Sequence, residues 1–297
     1  MKSRLDEYKT QLYLYLCSKF INYPFFIFLW YRLNKIKAKK DTYIHMYLND
    51  SGIDNRILHD KITRHDTLYS RGGLRLHIAM NARFKIDYKK LCNTVNINKP
   101  TVQAINNSDV ILMIHPCDIW KFFTGLINAI ESDIIIPVFG DIDDYQRAAD
   151  RTFNKNVKFI STSSSDSIQH IKREMLKGSK LLIFADLPSR KMNILFGETK
   201  ETTFFKKKAY FQYGPFILAY KSKSRITSIF AIESHNTMTI EHRDIEKNSP
   251  LEIMSSFIEF YESSINKHPE SIAYLRRLPT YHYQPITPLD KFKNLSQ

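Results

Sequence analysis

One histidine stands where an α/β protein would put a catalytic base. Val110–Ile114 (VILMI) is an apolar, largely β-branched run that ends at His115, and Pro116 and an amphipathic stretch follow. A buried strand that delivers a histidine to its C-terminal end, with a helix just beyond, puts the imidazole in the crevice where open α/β sheets bind ligands. Neutral imidazole can take the proton of an attacking hydroxyl. A nearby carboxylate fixes its tautomer and stabilises the imidazolium that forms. If the helix begins at Pro116, a favoured first position, Asp118 lies in the first turn, three residues from His115 and on the same face. Asp118 is therefore the nearest candidate for the orienting acid, although an acid there also complements the helix dipole without any chemistry. The helix N-terminus would offer free N–H groups to a developing oxyanion or a phosphate. Cys117 could act as a thiol nucleophile beside the histidine, but it reads first as a small core hydrophobe.

Other candidates are fewer. Asp186 ends a second apolar run, Leu181–Ala185, on what should be the same sheet edge, where a strand-end turn residue is the plain alternative. His45 and Asp50 have H-x4-D spacing but no buried strand before them. With ten histidines in the chain, such a match is expected by chance. No His/Cys/Asp/Glu cluster has the spacing of metal ligands, so no metal is expected.

The elements that must position these residues alternate. Residues 53–93 read as helical with a break at Gly72–Gly73, and 94–108 as a polar connector containing a short helix. Strands are predicted at 110–114, 134–139, 157–160 and 181–185, and helices at 119–130, 143–153 and 166–177. Further strands are predicted at 216–220, 227–232 and 238–240, as hairpins around the KSKSR stretch, before a closing helix over 251–267. This alternation gives an α/β fold: one mixed, mainly parallel sheet covered by helices on both faces. At 297 residues the chain can bury about three quarters of its unfolded surface.

The formal net charge of +14 favours an anionic partner. The basic residues are scattered, without zinc-finger spacing or an RNA-binding aromatic signature, so nucleic acid is not expected. With only 8 glycines and neither GxGxxG nor GxxxxGK[ST], the sequence argues against the glycine-rich phosphate loops of nucleotide enzymes. Three widely spaced cysteines fit a reducing compartment.

The first 31 residues are crowded with aromatics, and Met1–Lys9 is too polar to start a signal peptide. Lys19, Asn22 and Pro24 interrupt the apolar run over 12–33, which falls short of a clean span. Phe25–Tyr31 is nearly all apolar and aromatic, and Arg32, Lys35, Lys37, Lys39 and Lys40 come next. That order reads as an interfacial anchor on an anionic lipid surface; a core helix with a charged tail is the alternative.

These phrases, in their order, resemble the lysophospholipid acyltransferase superfamily and its lipid A late acyltransferase branch. IHPCDIW stands where that family has a histidine motif like GHFGNWE, with His115 and Trp120 at recognisable positions. LKGSKLLIFAD, ending at Asp186, matches a strand ending in aspartate, and Leu195–Gly197 (LFG) matches a phenylalanine-glycine pair. FFKKKAYFQYGPFILAY and INKHPESIAYLRR match later segments, and the resemblance covers roughly 20–280. The departure is at the histidine motif: the family's H-x4-D/E acid is missing, because Trp120 and Lys121 occupy its place.

The resemblance implies an O-acyltransferase that moves a fatty acyl group from an acyl-carrier-protein or coenzyme A thioester to a hydroxyl of a lipid or glycolipid. No cofactor beyond that co-substrate is implied, and the location is the cytoplasmic face of an inner membrane. It implies catalytic roles for His115 and Asp186, with Asp118 the stand-in that helix spacing offers for the missing acid, and acceptor or acyl contacts at Trp120, Arg190, Lys191, Gly197, Lys206 and Lys208, with Phe204 and Phe205 near an acyl pocket. The implied organisation is an interfacial helical segment over 1–40, an acyltransferase-like α/β domain over 41–285 and a polar tail over 286–297. The missing acid also admits a catalytically silent protein of this fold that binds lipid or a partner.

Overall fold

A computed structural model describes residues 2–38, 55–92, 95–138, 141–153, 155–162, 166–187, 199–222, 225–234, 237–246 and 248–282. His45, Asp50, Arg190, Lys191 and Gly197 lie outside the described residues, as do the expected domain boundaries near 40 and 286.

The centre is a seven-stranded sheet formed by β1 (Val95–Ile97), β2 (Val110–Met113), β3 (Ile134–Val138), β4 (Val157–Ser161), β5 (Lys180–Phe184), β8 (Ile226–Ser234) and β9 (Thr237–Ile245), in the order β1-β9-β8-β2-β5-β3-β4. The five strands β8, β2, β5, β3 and β4 are parallel; β9 pairs antiparallel with β8 and carries β1 with it. Strands buried on both faces read as unbroken apolar runs, and β2, with every residue buried, is one. Val110, Leu112 and Ile114 enter one core and Ile111 and Met113 the other.

Helices cover both faces. Helix α6 (Ile119–Ala129), α7 (Asp143–Thr152) and α3 (Asn55–Asn81) supply Trp120, Phe123, Ala148 and Ile78 to one core, while α8 (Ser167–Leu176), α9 (Gly214–Lys221) and α10 (Pro250–Lys267) supply Ile171, Phe216 and Phe257 to the other. The chain leaves β2 toward β3 on one side and leaves β5 toward β8 on the other. The β2/β5 junction is therefore the switch point of the sheet, the place where open α/β sheets as a class bind ligands, at the carboxyl ends of their strands.

The N-terminal pair α1 (Lys2–Phe20) and α2 (Pro24–Ala38) is bent by 103°. Leu14 and Ile21 are buried in the α3/α6/α7 core. No single helix among the described residues is long and apolar enough to cross a membrane.

Several expectations are corrected. Residues 216–220 are helical, because Pro215 near the first turn of α9 suits a helix start and the apolar run packs one face on α10. The β8–β9 hairpin turns after Ser234, beyond KSKSR. A second hairpin, β6 (Thr199–Phe204) and β7 (Lys207–Gln212), was not foreseen; Phe205 and Lys206 make its turn at φ 49° and 58°. Helix α3 runs unbroken through Gly72–Gly73.

Candidate active site

The register of β2 on β5 sets Met113 opposite Phe184, and the Ala185 amide donates to the Met113 carbonyl at 3.1 Å. Two residues on, His115 and Asp186 leave the sheet side by side. The Asp186 carboxylate accepts twice from one residue: the His115 backbone N–H at 2.8 Å and the ring Nδ1 at 2.5 Å. A carboxylate only accepts, so Nδ1 carries the proton and Nε2 is the basic nitrogen. Among the described residues no hydrogen bond reaches Nε2, and the His115 side chain is 13% exposed while that of Asp186 is fully buried. The imidazole stacks on Phe184 with centroids 3.7 Å apart, and Tyr274 flanks it at 4.6 Å. The Tyr281 hydroxyl donates to the Asp186 carbonyl, which fixes the acid from behind.

Asp118 is not the partner of His115. Helix α6 starts at Ile119, as the 119–130 reading has it, and not at Pro116, which forms a bridge with Ile272. Asp118 is the N-cap, accepting from the Lys121 amide at 3.1 Å, and its other oxygen takes the Arg75 guanidinium. Arg75 also donates to the Leu91 carbonyl at 2.9 Å and to Asn22 Oδ1 at 2.6 Å. Lys121 meets Glu233 at 3.3 Å. Burial pulls the Arg75 guanidinium down to about 10, with Arg71 adding to the effect, and burial also lowers the Lys121 ammonium. This is a buried ionic joint between α3, α6 and β8, set beneath the loop that carries His115.

Sequence reasoning read Gly72 as a break and missed its use. A Cβ there would lie 2.1 Å from the Cys117 carbonyl oxygen, so only glycine lets α3 approach the 115–118 loop. Gly72→Ala is expected to cost about 1–3 kcal/mol by overpacking. Urea unfolding measures it, and an unchanged midpoint would show that the loop yields at no cost.

The remaining expected site residues separate. Trp120 is fully buried between Phe123 and Phe153 and is core. Phe204 is also core, packed on Phe211, Tyr261 and Tyr281, rather than part of a pocket wall. Lys206 sits in the exposed β6–β7 turn and Lys208 pairs with Glu201 at 2.6 Å. No contact among the described residues brings either lysine to His115. Cys117 is buried, with its thiol pushed well up by burial, and its Sγ donates to the Glu270 carbonyl at 3.3 Å, which suits a core residue. Two cavities, of about 470 and 580 Å³, are lined by neither His115 nor Asp186. Among the described residues there is no group of three or more potential metal ligands.

No protein-family model matches this chain. No curated protein matches it in sequence either.

Proposed function

We propose that this protein is an acyltransferase that moves a fatty acyl group from a carrier-protein or coenzyme A thioester to a hydroxyl of a lipid or glycolipid, with His115 as general base and Asp186 as its orienting acid. The observation that carries this reading is the two-point grip of a buried carboxylate on His115 at the switch point of a parallel sheet, with Nε2 left free of protein partners among the described residues. It favours an enzyme over a silent protein, because a carboxylate stands beside His115 although the sequence motif lacks its acid. Purified protein incubated with a labelled acyl thioester and a total lipid extract should transfer label to one lipid class, and His115→Ala should abolish the transfer. Absence of transfer by folded wild type across donor chain lengths would leave the silent lipid-binding reading.

The acceptor class is supported by the N-terminal arm. Most of the exposed large hydrophobics in the described residues lie on α1 and α2, with Phe25 68% and Phe28 54% exposed. Arg32 lies 5.0 Å from the Phe28 ring centroid. Lys39 and Lys40 fall outside the described residues. Exposed aromatics beside cations suit the headgroup boundary of an anionic bilayer, and we place the protein on the cytoplasmic face of such a membrane on that ground. Phe25→Ser with Phe28→Ser is expected to weaken partition to anionic vesicles about tenfold, and wild-type partition should fall with added salt. Equal partition to neutral and anionic vesicles, measured by flotation, would count against the anchor.

A further inference from the structure

Tyr274 has so far only flanked the imidazole, yet its position is set by backbone. The strap over 269–274 lies against the histidine loop. The Cys117 amide donates to the Ser271 carbonyl at 3.0 Å, the Ala273 amide donates to the His115 carbonyl at 3.0 Å, and Pro116 bridges Ile272. The phenol ring is thereby held 4.6 Å from the imidazole, centroid to centroid, at an interplanar angle of 53°. Ring packing alone would need no hydroxyl, and Phe184 supplies such packing at 3.7 Å.

The other tyrosines here use their hydroxyls within the protein: Tyr261 and Tyr281 share a hydrogen bond at 3.3 Å, and Tyr281 donates to the Asp186 carbonyl. The Tyr274 hydroxyl makes no hydrogen bond among the described residues, and its residue is only partly buried. Burial first, and the Asp186 charge second, push this phenol upward, so it remains a donor at neutral pH. The Arg277 guanidinium lies over the same ring, 5.3 Å from its centroid. A phenol donor beside the imidazole, with a cation over its ring, suits an oxygen that turns anionic as the base removes a proton.

We propose that Tyr274 is a catalytic residue that donates its hydrogen bond to the oxyanion of the tetrahedral intermediate. This rests on the acyl-transfer reading. His115 Nε2 takes the acceptor hydroxyl's proton as its oxygen bonds to the thioester carbonyl carbon, and the carbonyl π pair moves onto the oxygen facing Tyr274. Collapse re-forms the C=O bond and breaks the C–S bond, and the leaving thiolate takes the proton back from His115.

The test is Tyr274→Phe, which keeps the ring and removes the donor. The expected result is a fall in kcat of about a hundredfold with KM nearly unchanged, the cost of losing one oxyanion donor. A second readout is free of turnover. Dodecylphosphonate presents a tetrahedral anion on an alkyl chain, and by calorimetry Tyr274→Phe should bind it about tenfold more weakly than wild type. Wild-type kcat in the variant, equal phosphonate binding by the two proteins, or no binding by wild type would each overturn the proposal. A wild type that transfers no acyl group but binds phosphonate through Tyr274 would support the donor site and remove the acyl-transfer reading.

Discussion

Asp186→Asn lowers turnover by about three to four orders of magnitude while the protein remains folded. The amide is isosteric and can still accept the His115 backbone N–H through its oxygen, so the β2–β5 junction keeps its shape. What it cannot do is accept at both oxygens as the carboxylate does at 2.8 and 2.5 Å. With the oxygen on the backbone, the –NH2 faces Nδ1 and donates to it. The imidazole then carries its proton on Nε2, the nitrogen that should receive one from the acceptor hydroxyl. The charge that stabilises the imidazolium is lost as well. Single-turnover rates with a labelled thioester measure the fall, and ring-nitrogen chemical shifts report the tautomer in wild type and variant. Wild-type turnover in Asp186→Asn would move the acid role away from this residue.

The sequence shows the site's strands better than its pairing. The runs ending at His115 and Asp186 are legible because strands buried on both faces leave an apolar signature that needs no partner to be read. That the two strands are neighbours is a matter of crossover, since the chain passes through β3 and β4 before returning to β5. A spacing rule along one helix therefore favoured Asp118, three residues from His115, over Asp186. The rule failed because Pro116 bridges Ile272 outside the helix, and Asp118, as the N-cap of the helix at Ile119, takes the Arg75 guanidinium. The cue for that arrangement lies far off in the chain, at Ile272, which bridges Pro116 just after the 3₁₀ turn Pro269–Ser271. Likewise Phe216–Ile217 reads equally as strand or helix, and only packing on α10 decides it. Gly72 was visible as an anomaly within a helical pattern, and what it accommodates was not.

Asp118→Asn, at the residue that helix spacing offers as the orienting acid, instead acts on stability. The side chains of Asp118 and Arg75 are both fully buried. Asparagine keeps an oxygen for the Lys121 amide, so the helix cap survives and the charge alone is removed. Arg75 is then left in the interior with Glu233 at 3.9 Å as its nearest carboxylate, one already engaged by Lys121 at 3.3 Å. Leaving one buried charge uncompensated costs about 3–5 kcal/mol. Chemical denaturation should show that loss, while the folded fraction turns over at close to the wild-type rate, because Asp118 does not touch His115. Arg75→Met alone should be costly for the mirror reason: it leaves the carboxylate buried. The double variant Arg75→Met/Asp118→Asn should recover part of the sum, as expected for two groups that act as one unit. Strict additivity in that cycle would show that the pair is not coupled. Unchanged stability with lost turnover in Asp118→Asn would return the residue to the catalytic site.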